Sequence, residues 1–238
     1  MISPREVATG GVRPARAASP ASPWQRLGLC WNPFGEPPPE DLAALIVPNA
    51  AEVPEDWLRR PRTAQQYLGD AGRGKTARLR RLEALFPDVP YHYLAEGVSR
   101  PAMPQPVTAA GPVALLLDEA QRLPSRRRRQ LFVAVARAGR SLVLATHVDL
   151  SGELAAAGLA CRTTVVADLV ADDLLAILHR RIAWAQVDNA SPALPQLADA
   201  QRLIAEFGDD VRAILDHLYD RYQAWLLNRG HCPWQSVI

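Results

Sequence analysis

The stretch Gly69-Asp70-Ala71-Gly72-Arg73-Gly74-Lys75-Thr76 decides the fold predicted for this chain. It fits the pattern G-x-x-x-x-G-K-[ST] at every fixed position, and its glycines allow successive backbone N–H groups to point at phosphate oxygens. Residues 63–68 predict a strand before it and residues 76–85 a helix after it, which is the context this loop requires. A glycine-rich turn with a stray lysine is the alternative.

Two side chains of this stretch are candidate ligands for a nucleoside triphosphate and its metal. Lys75 is the only lysine of a chain with 27 basic residues, and it stands where phosphate chemistry favours a compact ammonium group. We expect Lys75 to reach the β- and γ-phosphates, and the Thr76 hydroxyl to bind Mg²⁺. The remaining residues, 69–74, are expected to contact the phosphates of ATP through the backbone.

A second acidic motif follows the continuous apolar run 113–117, which predicts a central strand covered on both faces. Asp118 ends this run, so its carboxylate is expected at the carboxyl edge of the sheet, where it would help to hold Mg²⁺. The adjacent Glu119 is the candidate for polarising the attacking water. The alternative is that both carboxylates only cap the next helix.

Strands alternate with helices from residue 63 to residue 168, which predicts an α/β fold of the P-loop NTPase type. We expect a parallel five-stranded sheet flanked by helices, with strands at 63–68, 91–95, 113–117, 141–145 and 163–166. After residue 168 only helical periodicity remains, at 171–187, 197–207 and 210–227, which predicts a small all-helical C-terminal lid. The predicted division is a disordered leader (1–22), an ATPase core (23–168), a lid (169–230) and a tail (231–238).

The strand predicted at 141–145 ends in polar residues. Thr146 is a candidate contact for the γ-phosphate or the attacking water. His147 is either part of the same site or a solvated loop histidine.

Composition is that of a globular protein, with 48% hydrophobic and 22% charged residues and a net charge of +2. The three scattered cysteines predict neither a zinc site nor a disulfide framework. No apolar run reaches the length of a membrane helix and no signal peptide is recognisable, so the sequence predicts a cytoplasmic protein.

These motifs resemble the AAA+ ATPases, and within them the ExeA-like and TniB-like (transposition-helper) group. Residues 27–34, LGLCWNPF, look like the leading stretch of that group, and 116–123, LLDEAQRL, are similar to its Walker B segment. The resemblance implies that Asn32 and Phe34 lie near the nucleotide base. It also implies a sensor arginine at Arg212 and an arginine finger at Arg162, supplied to a neighbouring subunit of a homo-oligomer. A surface helix residue and an ordinary ion-pair partner are the respective alternatives.

A basic run, Arg126, Arg127, Arg128 and Arg129, opens the helix predicted at 125–138. Four successive residues span the circumference of a helix and cannot all face one partner. The run is either a solvated helix start or a contact for the phosphates of double-stranded DNA or for another subunit.

Three functions are compatible with these observations. The first is an Mg²⁺-dependent ATPase that assembles or remodels a partner complex, with DNA as one candidate partner. The second is a nucleotide-dependent switch with little turnover, and the third is a binding module with a structural P-loop. Glu119 and the candidate sensors favour the first, while the sequence leaves the partner protein unidentified.

Overall fold

The structure of the protein, a computed structural model, describes residues 22–47, 55–97, 114–166, 169–228 and residue 234. These residues form two compact units. One contains 55–97 and 114–166, and the other contains 22–47, 169–228 and 234. The predicted leader lies outside the described residues apart from Ser22, and so does the predicted tail apart from Trp234.

The first unit is built on a five-stranded sheet in which every pairing is parallel. The strand order is β2-β3-β4-β1-β5, so β4 lies between the strand before the glycine-rich loop and the strand that ends in Asp118. The α/β fold with a parallel five-stranded sheet is therefore confirmed. The strands are β1 (Thr63–Leu68), β2 (Tyr91–Tyr93), β3 (Ala114–Asp118), β4 (Ser141–Thr146) and β5 (Ala160–Val165).

Helices cover both faces of this sheet, which explains the continuous apolar runs in β3 and β4. Leu115, Leu117 and Leu144 face a core layer that includes Phe132 and Val135. Leu116 and Val143 face the opposite layer with Leu79. The helices of this unit are α2 (Glu55–Arg59), α3 (Lys75–Leu85), α4 (Ser125–Arg137) and α5 (Ser151–Ala156).

Strand β5 begins three residues earlier than its sequence predicts, at Ala160 instead of Thr163. It pairs with β1 only, and Arg162, Thr163 and Val165 are exposed on it. An edge strand with exposed residues lacks the continuous apolar run by which buried strands are recognised. As a consequence, Arg162 lies inside β5, opposite Gln65, and not in a segment before the last strand.

The second unit contains α1 (Pro39–Leu45), α6 (Ala171–Ala185), α7 (Leu197–Phe207) and α8 (Val211–Asn228). Residues 23–47, assigned to the ATPase core by their sequence, belong to this unit. The backbone N–H of Cys30 donates to the carbonyl of Ala185 at 2.6 Å, and Phe34 contacts Tyr222 edge to face with 5.0 Å between the ring centroids. The aromatic residues of this segment thus fill the core that α6 and α8 leave between them.

Among the helices of the described residues, none combines the length and the apolar character that crossing a membrane demands.

Candidate nucleotide-binding site

The glycine-rich loop leaves β1 at the carboxyl edge of the sheet and leads directly into α3. The N–H of Gly69 donates to the carbonyl of Thr146 at 3.3 Å, which fixes the start of the loop to the end of β4. Gly72 and Gly74 have φ angles of 80° and 78°, a region that favours glycine. A Cβ at Gly69 would lie 3.3 Å from the carbonyl oxygen of Val166, a tight approach that a larger residue could make only if this backbone shifted by a few tenths of an ångström.

The loop shape agrees with phosphate binding. Glycine at these positions lets the backbone turn its N–H groups towards an anion, and α3 begins at Lys75, so the positive end of its dipole faces the same region. The side chain of Asp70 is exposed and pairs with Arg73 at 3.3 Å within the loop. Thr76 is the second residue of α3 and is half-buried.

The ammonium group of Lys75 lies within the loop. It donates to the carbonyl oxygens of Gly69 at 2.7 Å and Asp70 at 2.5 Å, and the residue is 5% exposed. Burial lowers the pKa of Lys75, while the negative charges of Glu119 and Asp118 act in the opposite direction. The lysine of the loop and the two acidic residues after β3 therefore act on one another electrostatically.

Asp118 is fully buried at the end of β3. Its Oδ2 accepts a hydrogen bond from the Tyr91 hydroxyl at 2.8 Å, and its Oδ1 accepts one from the N–H of Glu119 at 3.0 Å. Burial and the neighbouring carboxylate of Asp118 raise the pKa of Tyr91, so the phenol stays a hydrogen-bond donor. Each carboxylate oxygen retains acceptor capacity, which fits a water-mediated Mg²⁺ contact.

Tyr91 was not found from the sequence. It lies on β2, whose pairing with β3 places it opposite Leu116. The guanidinium of Arg80 lies over its ring, 3.7 Å from the centroid. A tyrosine on the strand that pairs with β3, the strand ending in Asp118, is the signal by which the sequence could have indicated Tyr91.

Glu119 has a left-handed backbone with φ of 59°, which is rare for a residue other than glycine and concentrates at functional sites. Its Oε2 accepts from Gln121 at 2.7 Å and lies 3.2 Å from a guanidinium nitrogen of Arg122. Its Oε1 lies 3.2 Å from Nε2 of His147. The side chain makes no capping hydrogen bond to the turn that follows, although capping was the alternative to a catalytic role.

The end of β4 brings His147, and not the Thr146 hydroxyl, to Glu119. The Thr146 hydroxyl donates to the carbonyl of Val148 at 2.8 Å and accepts from the N–H of the same residue at 3.1 Å. It therefore stabilises the turn after β4. His147 therefore has a partner, Glu119, which the alternative of a solvated loop histidine did not include. The two residues meet because β3 and β4 are adjacent in the sheet.

Three predicted site residues belong to the second unit. Phe34 is 4% exposed in the core, which does not fit the predicted contact with a nucleotide base. The Asn32 amide donates to the carbonyl of Tyr219 at 3.0 Å and accepts from the N–H of Phe34 at 3.1 Å, although Asn32 also borders a cavity of about 420 Å³. Arg212 is exposed in the first turn of α8, and its sensor role stays a prediction.

The four successive arginines do not form one basic surface. Arg128 is 7% exposed, and its Nε donates to Glu153 at 2.8 Å. A second guanidinium nitrogen donates to the carbonyl of Leu123 at 2.9 Å. Arg126 and Arg129 are exposed. Arg128 therefore binds α4 to α5 and is not available to the phosphates of DNA, although the sequence had made all four arginines candidate contacts.

We expect Glu153→Gln to lower the free energy of unfolding by about 1–2 kcal/mol at neutral pH, because it leaves the buried Arg128 without its charged acceptor. The hydrogen bond from Arg128 lowers the pKa of Glu153 below its ordinary value of 4.5. A lowered carboxyl pKa stabilises the fold above that value and loses its effect as the pH falls through the folded-state pKa. The difference between wild type and variant should therefore shrink below pH 4.5 in urea unfolding measurements.

Glu83→Gln is the matched control, since Glu83 pairs with Arg80 in a more exposed ion pair of 2.8 Å. It should cost about 0.5 kcal/mol or less. Equal losses in both variants, or a difference that does not depend on pH, would contradict the assignment of Arg128 as a buried structural residue.

Comparison with known proteins gives only distant similarity. No protein-family model matches the chain, and no curated protein matches it. Among solved structures, the chain is similar to the Orc1 protein of Aeropyrum pernix in complex with DNA, at 22% identity over 72% of this chain and 56% of that chain, with a TM-score of 0.46. It is also similar to domain III of the replication initiation protein DnaA from Thermotoga maritima, at 12% identity over 72% of this chain and 80% of that chain, with a TM-score of 0.47. The match thus spans little more than half of the Orc1 chain.

Proposed function

We propose that this protein is an Mg²⁺-dependent ATPase of the AAA+ type that drives assembly or remodelling of a partner complex. One observation carries the proposal. The strand order sets the ends of β1, β4 and β3 side by side, so that Lys75 lies within electrostatic range of both Asp118 and Glu119. An ammonium group, a buried carboxylate and a second carboxylate at one sheet edge are the groups that phosphoryl transfer to water requires.

Each residue of this constellation has a proposed task. The loop N–H groups and Lys75 would hold the phosphates, and Thr76 and Asp118 would hold Mg²⁺, which would supply positive charge against the phosphate oxygens. Tyr91 keeps the Asp118 carboxylate oriented through its hydroxyl. Glu119 orients and polarises the attacking water, and the loop excludes bulk solvent from Lys75.

A nucleotide-dependent switch with little turnover is the second candidate, and a specific observation favours it. Both carboxylate oxygens of Glu119 already interact with protein groups, those of Gln121, Arg122 and His147. A general base engaged in this way must release at least one partner before it can orient water. Turnover would then depend on a signal that breaks these contacts.

Completion of the site by a second copy also stays a proposal. The exposed side chain of Arg162 on the edge strand β5 is accessible to a neighbouring molecule. A trans arginine stabilises charge in the transition state, which supports a head-to-tail homo-oligomer in the ATP-bound form. Arg126 and Arg129 are the exposed members of the basic run, and the effect of double-stranded DNA on turnover tests whether they contact its phosphates.

Calorimetry with a non-hydrolysable ATP analogue, with and without Mg²⁺, tests the proposal, together with phosphate release measured with and without double-stranded DNA. We expect Mg²⁺ to tighten analogue binding by about tenfold or more, and Thr76→Ala to remove most of that gain because its hydroxyl is lost as a ligand. Thr164→Ala is the control, since its hydroxyl accepts from Gln65 within the sheet.

The outcomes separate the three functions. Binding with turnover supports the ATPase, and binding without turnover in either condition supports the switch. No measurable binding to the folded protein would leave the P-loop as a structural feature and overturn both.

A further inference from the structure

An open groove lies between α4 and α5, on a part of the first unit that the proposed nucleotide site does not use. Its volume is about 860 Å³. Its floor is apolar, with Val133 and Ala134 from α4 and Ala156 from α5. Gly152 widens the α5 side, where a Cβ would meet no atom within 4 Å.

Three arginines line this groove along one stripe of α4. Arg126, Arg129 and Arg137 recur at helical spacing, with Val133 between the second and the third. All three side chains are exposed, and among the described residues none has an ion-pair partner. The acidic residue of the groove, Glu153, is already paired with the buried Arg128. The groove is therefore strongly basic above an apolar floor.

We propose that this groove binds an amphipathic helix of a partner protein, with apolar side chains on the floor and carboxylates towards the three arginines. From Arg126 to Arg137 the stripe extends for about 16 Å, which corresponds to three turns of a bound helix. An apolar stripe packed in a hydrophobic groove is a recurring mode of helix recognition. Guanidinium groups complement carboxylates in bidentate geometry, which gives the binding its charge preference.

Charge argues against the first of two other occupants, and the apolar floor argues against the second. The long segments outside the described residues, 1–21, 98–113 and 229–238 apart from residue 234, each carry more arginine than acidic residues, so they lack the complementary charge. Nucleic acid is bound by contacts to phosphates that do not need an apolar floor. The combination of apolar floor and arginine rim favours an acidic helix over both.

Fluorescence anisotropy with a labelled synthetic peptide tests the proposal on the full chain. The probe is an amphipathic helix of about 18 residues with leucines on one face and glutamates on the other. A scrambled peptide of the same composition has the same charge without the apolar face. We expect the amphipathic peptide to bind at least about tenfold more tightly than the scrambled one, at about 150 mM salt.

Two variants change the groove in independent ways. Replacing Arg126, Arg129 and Arg137 together with alanine removes the charges, and Gly152→Leu fills the apolar side while keeping every arginine. Each should weaken peptide binding by about tenfold or more. Arg26→Ala, an exposed arginine of the second unit, should leave it unchanged. Thermal unfolding measures whether each variant is folded. Because both substituted surfaces are exposed, we expect both variants to fold.

Three results would overturn the proposal. Equal binding of the two peptides would mean plain charge attraction. Duplex DNA that binds through the same arginines and excludes the peptide would make the groove a nucleic-acid surface. Self-association that the triple variant abolishes, without peptide binding, would make the occupant a second copy of this chain. None of these measurements requires ATP, so their outcome is independent of the proposed ATPase activity.

Discussion

Lys75→Ala is expected to weaken binding of an ATP analogue by about a hundredfold or more, measured by calorimetry in the presence of Mg²⁺. The variant removes the only ammonium side chain of the protein, in a loop where two carbonyl groups now hold it at 2.7 and 2.5 Å. A desolvated charge interacts with phosphate far more strongly than an exposed one. The loss should therefore exceed that caused by removing Arg73, the arginine of the same loop.

Two control variants make this result interpretable. Lys75→Arg keeps the positive charge but replaces a compact group with a planar fork, so we expect it to restore little of the affinity. Arg73→Ala changes a half-buried residue of the loop that pairs with Asp70 and should have a much smaller effect. Unchanged affinity in a folded Lys75→Ala protein would contradict the assignment of residues 69–76 as a phosphate loop.

The sequence was sufficient to predict those strands of the sheet that are buried on both faces. Strand β3 is displaced by a single residue, because its continuous apolar run identifies a central strand, and β1 has the predicted bounds because the glycine-rich loop begins directly after it. The loop was equally predictable, since its spacing follows from backbone geometry around phosphate. Edge strand β5 was placed three residues late because its exposed residues lack that signal.

Contacts made between separate elements were less predictable. Arg128 shares one face of α4 with Leu131, Phe132 and Val135, so helical spacing did contain a sign of its burial within the basic run. The contact between His147 and Glu119 depends on the adjacency of β3 and β4, which alternation of strands and helices does not specify. The same holds for Tyr91 and Asp118, which meet because β2 pairs with β3.

The residues before α1 belong to a different unit from the one that their sequence motif indicated. Trp31 and Phe34 precede the phosphate loop in the chain, and the resemblance placed their segment, residues 27–34, near the nucleotide base. Their aromatic rings instead contribute to the core of the second unit together with Tyr222. A large buried ring stabilises a core by several kcal/mol, at about 25 cal/mol per Å² of apolar surface, and sequence order carries no information on which core receives it.

Glu119→Gln is expected to lower ATP turnover by about a hundredfold while analogue affinity stays within about twofold of wild type. The amide keeps the shape of the side chain and can still interact with Arg122 or His147, but it cannot accept a proton from water. Phosphate release under saturating ATP measures the turnover, and calorimetry measures the affinity for the analogue.

Glu96→Gln is the matched control for Glu119→Gln, because the exposed Glu96 carboxylate lies 3.6 Å from the same Arg122 without being next to Asp118. It should leave turnover unchanged. If Glu119→Gln hydrolyses ATP as fast as wild type, the carboxylate serves only to hold Gln121, Arg122 and His147 together, and another group must orient the water.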